Sequence, residues 1–289
     1  MTDLRLRELL QQTDTLPKLP DTTLRLVAVL GDPASGLTQI TDAIRYDQAV
    51  TTRLLRLCNS AYFGLSRRIV SLDDAVRYVG STKLMQLVMA AHTQTLLGPA
   101  QTGYGLRPGA LWLHSVAVAL ACQSVAERFG TCDKGVLFTV GLLHDIGKIV
   151  LNEHVAREYA QIVGLVHGAN ISFLEAERRV LGITHTEVGQ MVASRWGLPE
   201  PIPACIRYHH EPQALPTPDP ILDALHLADA ACLLLGIGGG DDGQMYRVDP
   251  VVLERSGMNA TDVENLGAGL VDELKCVQKL FGIRESGAS

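Results

Sequence analysis

Apolar residues recur along this chain at three- and four-residue spacing, the period of helices that pack on one side. Leu24, Val27, Ala28 and Leu30 mark one such helix, with Asp21 as its N-cap after the proline-punctuated LPKLP. A second is expected over 37–45. The stretch AVTTRLLRLCNSA sets Val50, Leu54 and Leu57 on one face. SLDDAVRYVG opens on a capping box of Ser71 with Asp74 and stops at Gly80. TKLMQLVMAAHTQTLL reads as a mostly apolar, central helix. No stretch alternates with the period of a strand between hairpin turns, so the fold class is all-α.

Residues 98–110, GPAQTGYGLRPGA, hold four glycines and two prolines. Such punctuation reads as a linker, and it divides the chain into two helical domains, 1–105 and 106–289. Beyond it the pattern predicts helices over 111–128, 134–151, 156–167, 172–180, 184–196 and 199–208. Another, DPILDALHLADAACLLLG, is stopped at Gly236, and a last one spans 262–281. GIGGGDDG, between those two, reads as a flexible loop.

With 47% hydrophobic and 19% charged residues, the chain can bury a sizeable core. A net charge of −6 with no basic block argues against a dedicated nucleic-acid binder. Arg53, Arg56, Arg67 and Arg68 could form a local positive patch, or simply a solvated face. The six cysteines form no C-x-x-C pair and read as buried free thiols of a reducing compartment. No secretion signal opens the sequence, and no uninterrupted apolar run approaches the roughly 20 residues of a membrane span. A soluble, cytoplasmic protein is expected.

The second half carries polar residues out of keeping with their surroundings. His114 lies in ALWLHSVAVALAC; His144 and Asp145 lie in GLLHDIGKIV; Asp229 lies in ALHLADAACLLL. His185 opens THTEVGQMV, and His209 and His210 close IPACIRYHH. Each alone has an ordinary explanation. A core histidine is usually hydrogen-bonded in place, and Asp145 could pair with Lys148 at i,i+3. Taken together, imidazoles and carboxylates on separate helices are ligands suited to zinc, iron or manganese within a bundle. Five imidazoles and two carboxylates exceed the needs of one tetrahedral ion and suit two ions bridged by a carboxylate. His226, three residues before Asp229, could orient a ligand. His92, His154 and His167 read as surface or helix-end residues.

The order His114, His144-Asp145, Asp229 resembles the H…HD…D signature of the HD superfamily of metal-dependent phosphohydrolases. His144-Asp145-Ile146-Gly147-Lys148 is similar to the H-D-I-G-K of its HD-GYP branch, which also uses histidines in segments like THTEVG and HHE. The G-x-G-Y-P tract linked to cyclic di-GMP hydrolysis is missing, since PQALPTPDP follows here. That departure argues against a cyclic di-GMP phosphodiesterase. LPKLPDTTLRLVAVL, YDQAVTTRLLRLCNSAYFG and SLDDAVRYVG resemble the HDOD domain, the HD-related output domain of bacterial signalling proteins.

The resemblance implies that the second domain is an HD-like helical bundle. It implies His114, His144 and Asp229 around one divalent ion, His185, His209 and His210 around the other, and Asp145 between them. The ion could be iron, manganese or zinc. Asp145 and Lys148 are the candidate catalytic residues, with Lys148 placed on the face of His144 to neutralise a substrate phosphate. The resemblance further implies a protein partner in a signalling pathway. A phosphate-containing small ligand is a second expectation, and hydrolysis of a phosphate ester or nucleotide is the alternative function. Asn59, Ser60 and Tyr62 could be a partner contact or a helix terminator.

Overall fold

The computed structural model describes residues 18–30, 39, 42, 44, 47–60, 63–129, 133–238, 240–243 and 246–283. The helix expected over 37–45 and Tyr62 fall wholly or largely outside them. Among the described residues the protein is all-α, and the only β pairing is an isolated bridge between Gln101 and Leu106. The helices are α1 (Asp21–Leu30), α2 (Gln48–Cys58), α3 (Leu72–Val79), α4 (Ser81–Leu97) and α5 (Ala110–Phe129). They continue as α6 (Lys134–Leu143), α7 (Gly147–Ala169), α8 (Phe173–Leu181), α9 (His185–Arg195) and α10 (Ile202–Tyr208). The last three are α11 (Pro220–Leu234), α12 (Pro250–Ser256) and α13 (Ala260–Phe281). Sequence periodicity passed over α12, whose seven residues are too few to show a repeat.

The interior is built on α5, α6 and α11, which pack against one another; α13 covers α5 and α11. Their apolar residues face inward all round, so they sit inside the protein rather than along its edge. One hydrophobic cluster runs from Leu26 to Val277 and joins helices from both ends of the chain. Trp112 on α5 donates its indole N–H to the Ala90 carbonyl on α4 at 2.9 Å. Lys83 on α4 reaches Glu273 on α13 at 3.2 Å. The stretch 134–169 is apolar and long enough to cross a membrane, but 78% of its most apolar window is buried inside the protein. It is core.

Local chemistry sets the helix ends. Ser71 accepts from the Asp74 amide at 3.0 Å, one half of the expected box. The other half is lost because the Asp74 carboxylate pairs with Arg67 at 3.3 Å. Thr184 and Glu187 form a complete capping box at the start of α9. Asn59 closes α2: its amide donates to the Leu55 and Ile69 carbonyls, each at 2.7 Å, and its oxygen accepts from the Ile69 amide at 2.8 Å. Asn59 is therefore a clamp on the 59–69 loop, the terminator of the two readings. His92 is buried beside Thr23, not at the surface as expected.

The single helix expected over 134–151 is broken. His144 donates Nδ1–H to the Gly141 carbonyl at 2.7 Å. That carbonyl is the acceptor the Asp145 amide would need to continue the helix. The chain tightens into i→i+3 bonds, Ile146 to Leu143 and Lys148 to Asp145, both at 3.0 Å. A longer helix, α7, then runs straight through the gap expected after Leu151.

Two glycines let this turn approach its neighbours. A Cβ on Gly141 would lie 2.6 Å from the Ala119 Cα on α5. A Cβ on Gly147 would lie 1.9 Å from the His185 carbonyl oxygen and 2.7 Å from the Gly189 amide on α9. Backbone cannot yield there as a flexible side chain would. Gly147→Ala is therefore expected to lower the free energy of unfolding by about 1–3 kcal/mol, read from the urea midpoint.

A candidate dinuclear metal centre

Seven side chains from five places in the chain meet in one buried pocket. α5 brings His114, the 144–146 turn brings His144 and Asp145, and the first residue of α9 is His185. The turn closing α10 brings His209 and His210, and α11 brings Asp229. They fall into two groups, His114–His144–Asp229 and Asp145–His185–His209–His210, with the ligand atoms of each group within 4.8 Å of one another. Every residue expected at the centre is in it.

Asp145 straddles the two groups. Its Oδ2 lies 3.2 Å from His144 Nε2 and 3.8 Å from His114 Nε2. Its Oδ1 lies 3.6 Å from His185 Nε2 and 3.7 Å from His209 Nε2. Asp229 spans them as well, with Oδ1 3.1 Å from His114 Nε2 and Oδ2 3.6 Å from His210 Nδ1.

The outward ring nitrogens fix the tautomers. His114 Nδ1 donates to the Ile237 carbonyl at 3.0 Å, His144 Nδ1 to Gly141, and His209 Nδ1 to the Ile206 carbonyl at 2.8 Å. His185 Nδ1 bonds the Glu177 carboxylate at 2.8 Å. A neutral imidazole that donates from Nδ1 presents a bare lone pair at Nε2. In His144, His185 and His209 that lone pair points at a carboxylate oxygen, while His114 Nε2 is hydrogen-bonded to Asp229 Oδ1 at 3.1 Å. Two acceptors cannot bond each other without a proton or a cation between them.

The hydrogen-bond accounting gives the same result. Among the described residues, eight buried side-chain nitrogen or oxygen atoms make no hydrogen bond. Six of them are in this pocket: His144 Nε2, Asp145 Oδ1, His185 Nε2, His209 Nε2, His210 Nδ1 and Asp229 Oδ2. Orphaned buried polar atoms are rare and costly, and a cluster of six acceptors fits a cationic occupant. All the donors are nitrogen and oxygen, the set that suits iron, manganese or zinc.

Lys148 is buried, with Nζ 2.5 Å from Asp145 Oδ2. The helix break falls between His144 and Lys148, so a shared helix face does not bring the lysine to the centre. The i,i+3 pair with Asp145 does.

Three residues around the centre escaped the sequence. Glu177 is buried on α8 and bonds both the ring and the backbone amide of His185, at 2.8 and 3.1 Å. Its other oxygen accepts from the Tyr104 hydroxyl at 2.6 Å. Tyr104 sits in the glycine-rich 98–110 segment, which is no free spacer: Tyr104 and Leu106 are buried, and the Gly103 amide donates to the Asn152 side chain at 2.9 Å. Tyr246 packs edge-on to His210 with centroids 5.2 Å apart, its hydroxyl 3.0 Å from His226 Nδ1. His226 also donates to the His209 carbonyl at 2.7 Å and accepts from the Asp249 amide at 2.9 Å. It thus holds the backbone of a centre residue, the orienting role weighed for it.

The electrostatics favour anionic carboxylates and neutral imidazoles on one side of the pocket. Burial works against Asp145, but His144 and Lys148 outweigh it and hold the carboxyl well below its usual range. Burial likewise opposes Asp229, and His114 and His144 hold it down. Burial and then His144 push His209 down to about 3; burial and His209 push His210 well below the ordinary range. His144 goes the other way: burial opposes, and Asp145 raises it.

Metal-free protein should show this as acid sensitivity. A histidine whose folded pKa lies below its unfolded value contributes stability that is complete above about pH 6.5 and is lost as pH falls toward the folded value. His209 and His210 act in that sense and His144 in the opposite one. In chelator, lowering the pH from 7.5 to 5 is expected to cost roughly 2 kcal/mol of unfolding free energy, the loss from one such histidine. Urea midpoints at the two pH values check it.

Comparison with known proteins gives the family and the fold. Residues 16–212 match the HDOD domain family. An HDOD domain protein of unknown function from Geobacter sulfurreducens is 33% identical, with a TM-score of 0.76 over 97% of this chain and 98% of that one. A candidate phosphohydrolase from Shewanella amazonensis SB2B shares the fold at 23% identity, with a TM-score of 0.70 over 94% of this chain and 97% of that one. So does a candidate signal transduction protein from Marinobacter aquaeolei VT8, at 22% identity and a TM-score of 0.74 over 96% of this chain and 61% of that one. The chain spans less than half the length of the curated relatives it matches. An uncharacterised protein of Treponema pallidum (strain Nichols) shares 220 residues at 27% identity, 75% of this chain and 42% of that one. The match over two thirds of the sequence and the whole-length likeness to the Geobacter protein make this chain a member of the HDOD domain family.

Proposed function

We propose that this chain is a regulatory HDOD module of bacterial signal transduction that holds two divalent metal ions in an HD-like second half. The six orphaned acceptor atoms between the two aspartates carry the reading. On it, residues 1–105 form the helical HDOD subdomain that meets a protein partner, and 106–289 form the metal-bearing bundle. The module works in the cytoplasm. His114, His144 and Asp229 hold one ion, His185, His209 and His210 the other, and Asp145 joins them.

One observation favours hydrolysis of a phosphate ester as a second reading: no ligand of the set is missing, and Lys148 stands beside Asp145. Bound there, the ions would supply Lewis acidity and an acidified water. This chain's own residues prepare the place. Glu177 and the Ile206, Gly141 and Ile237 carbonyls orient four of the imidazoles, Lys148 balances Asp145, and Tyr104 holds Glu177.

Elemental analysis of the purified protein is expected to give two transition-metal ions per chain, and Asp145→Ala to lose at least one of them. Turnover of an aryl phosphate that vanishes in Asp145→Ala selects the hydrolase. Two ions without turnover on aryl phosphates or cyclic dinucleotides selects the regulatory module. Less than one ion per chain overturns both.

Tyr104→Phe leaves a buried Glu177 oxygen without its donor. The orientation of His185 then loosens, and metal affinity is expected to fall about 10-fold, measured by competition with a chromogenic chelator. An unchanged affinity would show that the 98–110 segment does not support the centre.

A further inference from the structure

The metal centre is not the only place where charge gathers. A cleft of about 770 Å³ opens between the start of α2 and the end of α13, and it shares no residue with the metal centre. Arg53, Arg56 and Lys279 line it, and among the described residues no carboxylate does. In a chain of net charge −6, three cations around one cleft with no acid among its described lining residues are a local reversal of sign.

The most enclosed of the three, Arg53, is held by neutral groups. Nη1 donates to the Ala91 carbonyl at 3.1 Å, Nη2 to the Gln94 side-chain oxygen, and the guanidinium lies 5.4 Å from the centroid of Phe281. These bonds take two of its five N–H donors, and among the described residues its charge meets no counter-ion. Burial, and Arg56 beside it, lower its pKa. Among the described residues no acid pairs with Arg56 or Lys279 either. Three of the four carbonyls at the end of α13, which would repel an anion, are occupied: Gln278 and Lys279 accept from Ile283 and Gly282, and Phe281 accepts from Gln94 at 3.2 Å.

Gln48 and Thr52 add polar groups to the lining, and one side of the cleft is apolar. Leu57, Leu280 and Phe281 face the same space, and Phe281 is braced from behind by Trp112 at 4.9 Å between centroids. The volume lies within the roughly 300–1,000 Å³ of small-molecule sites, several times what a bare phosphate fills. We propose that this cleft binds a phosphorylated small molecule of the nucleotide class. Its phosphates are held by Arg53, Arg56 and Lys279, and its ring system lies against Leu57 and Phe281.

Calorimetric titration of the full chain with ATP and with inorganic pyrophosphate, in magnesium-free buffer, tests this. ATP should bind with a dissociation constant below about 100 μM, weaken as salt is raised, and bind more tightly than pyrophosphate, which cannot use the apolar wall. Arg56 and Lys279 are exposed, so Arg56→Ser/Lys279→Ser should keep the wild-type thermal midpoint. It should weaken ATP about 10-fold or more, a loss of about 1.4 kcal/mol. Arg56→Lys/Lys279→Arg should restore binding. No ATP binding at millimolar concentration, or equal binding by the double serine variant, overturns the site. Pyrophosphate as tight as ATP overturns the nucleotide class.

Discussion

Two carboxylates enclosed with five imidazoles, most of whose inward nitrogens carry lone pairs, are the constraint on which the rest of this molecule turns. Acceptors facing acceptors at 3.2–3.8 Å repel unless positive charge lies between them. Lys148 supplies one such charge, beside Asp145 Oδ2. The surrounding architecture holds this arrangement together against its own repulsion. α5, α6 and α11 are nearly all apolar because they must form a wall around it. Gly141 and Gly147 are small because the turn between them must touch α5 and α9 backbone directly.

The imidazoles also shape the fold. His144 and His209 each bond the carbonyl three residues earlier, at 2.7 and 2.8 Å. In both places the helix stops, since the following amide loses its acceptor. One contact thus ends the helix, fixes the tautomer and turns the second nitrogen inward. The same geometry explains why a continuous apolar period over 134–151 did not give a continuous helix. Hydrophobic spacing reports which face is buried; it carries no information on a side chain that competes for the helix's own carbonyl.

Legibility from sequence followed the same line. His114, His144, Asp145 and Asp229 stood out because each is polar in an apolar run, whereas His185, His209 and His210 lie among polar neighbours and were marked by the likeness of THTEVG and HHE to a known motif. Glu177 did not stand out, because FLEAERRVL is rich in charge and nothing marks one acid among several. Tyr104 was hidden by its setting: glycines and prolines around it suggested open chain, whereas the backbone folds back through the Gln101–Leu106 bridge and drives the ring inside. A signal did exist there, an aromatic in the middle of a supposed spacer. Tyr246 lies past a glycine-rich loop and reaches His210 only through tertiary packing, which no local pattern encodes.

The distribution of sulfur has its own consequence. Cys58, Cys122, Cys205 and Cys232 are buried free thiols, and Cys276 is exposed. Burial raises the pKa of the four enclosed thiols, so they stay protonated and unreactive. None of the seven centre residues is a cysteine. Oxidants that act by forming disulfides or sulfenic acids therefore have no foothold on the ligand set. A swing in thiol balance would leave all seven side chains chemically unaltered.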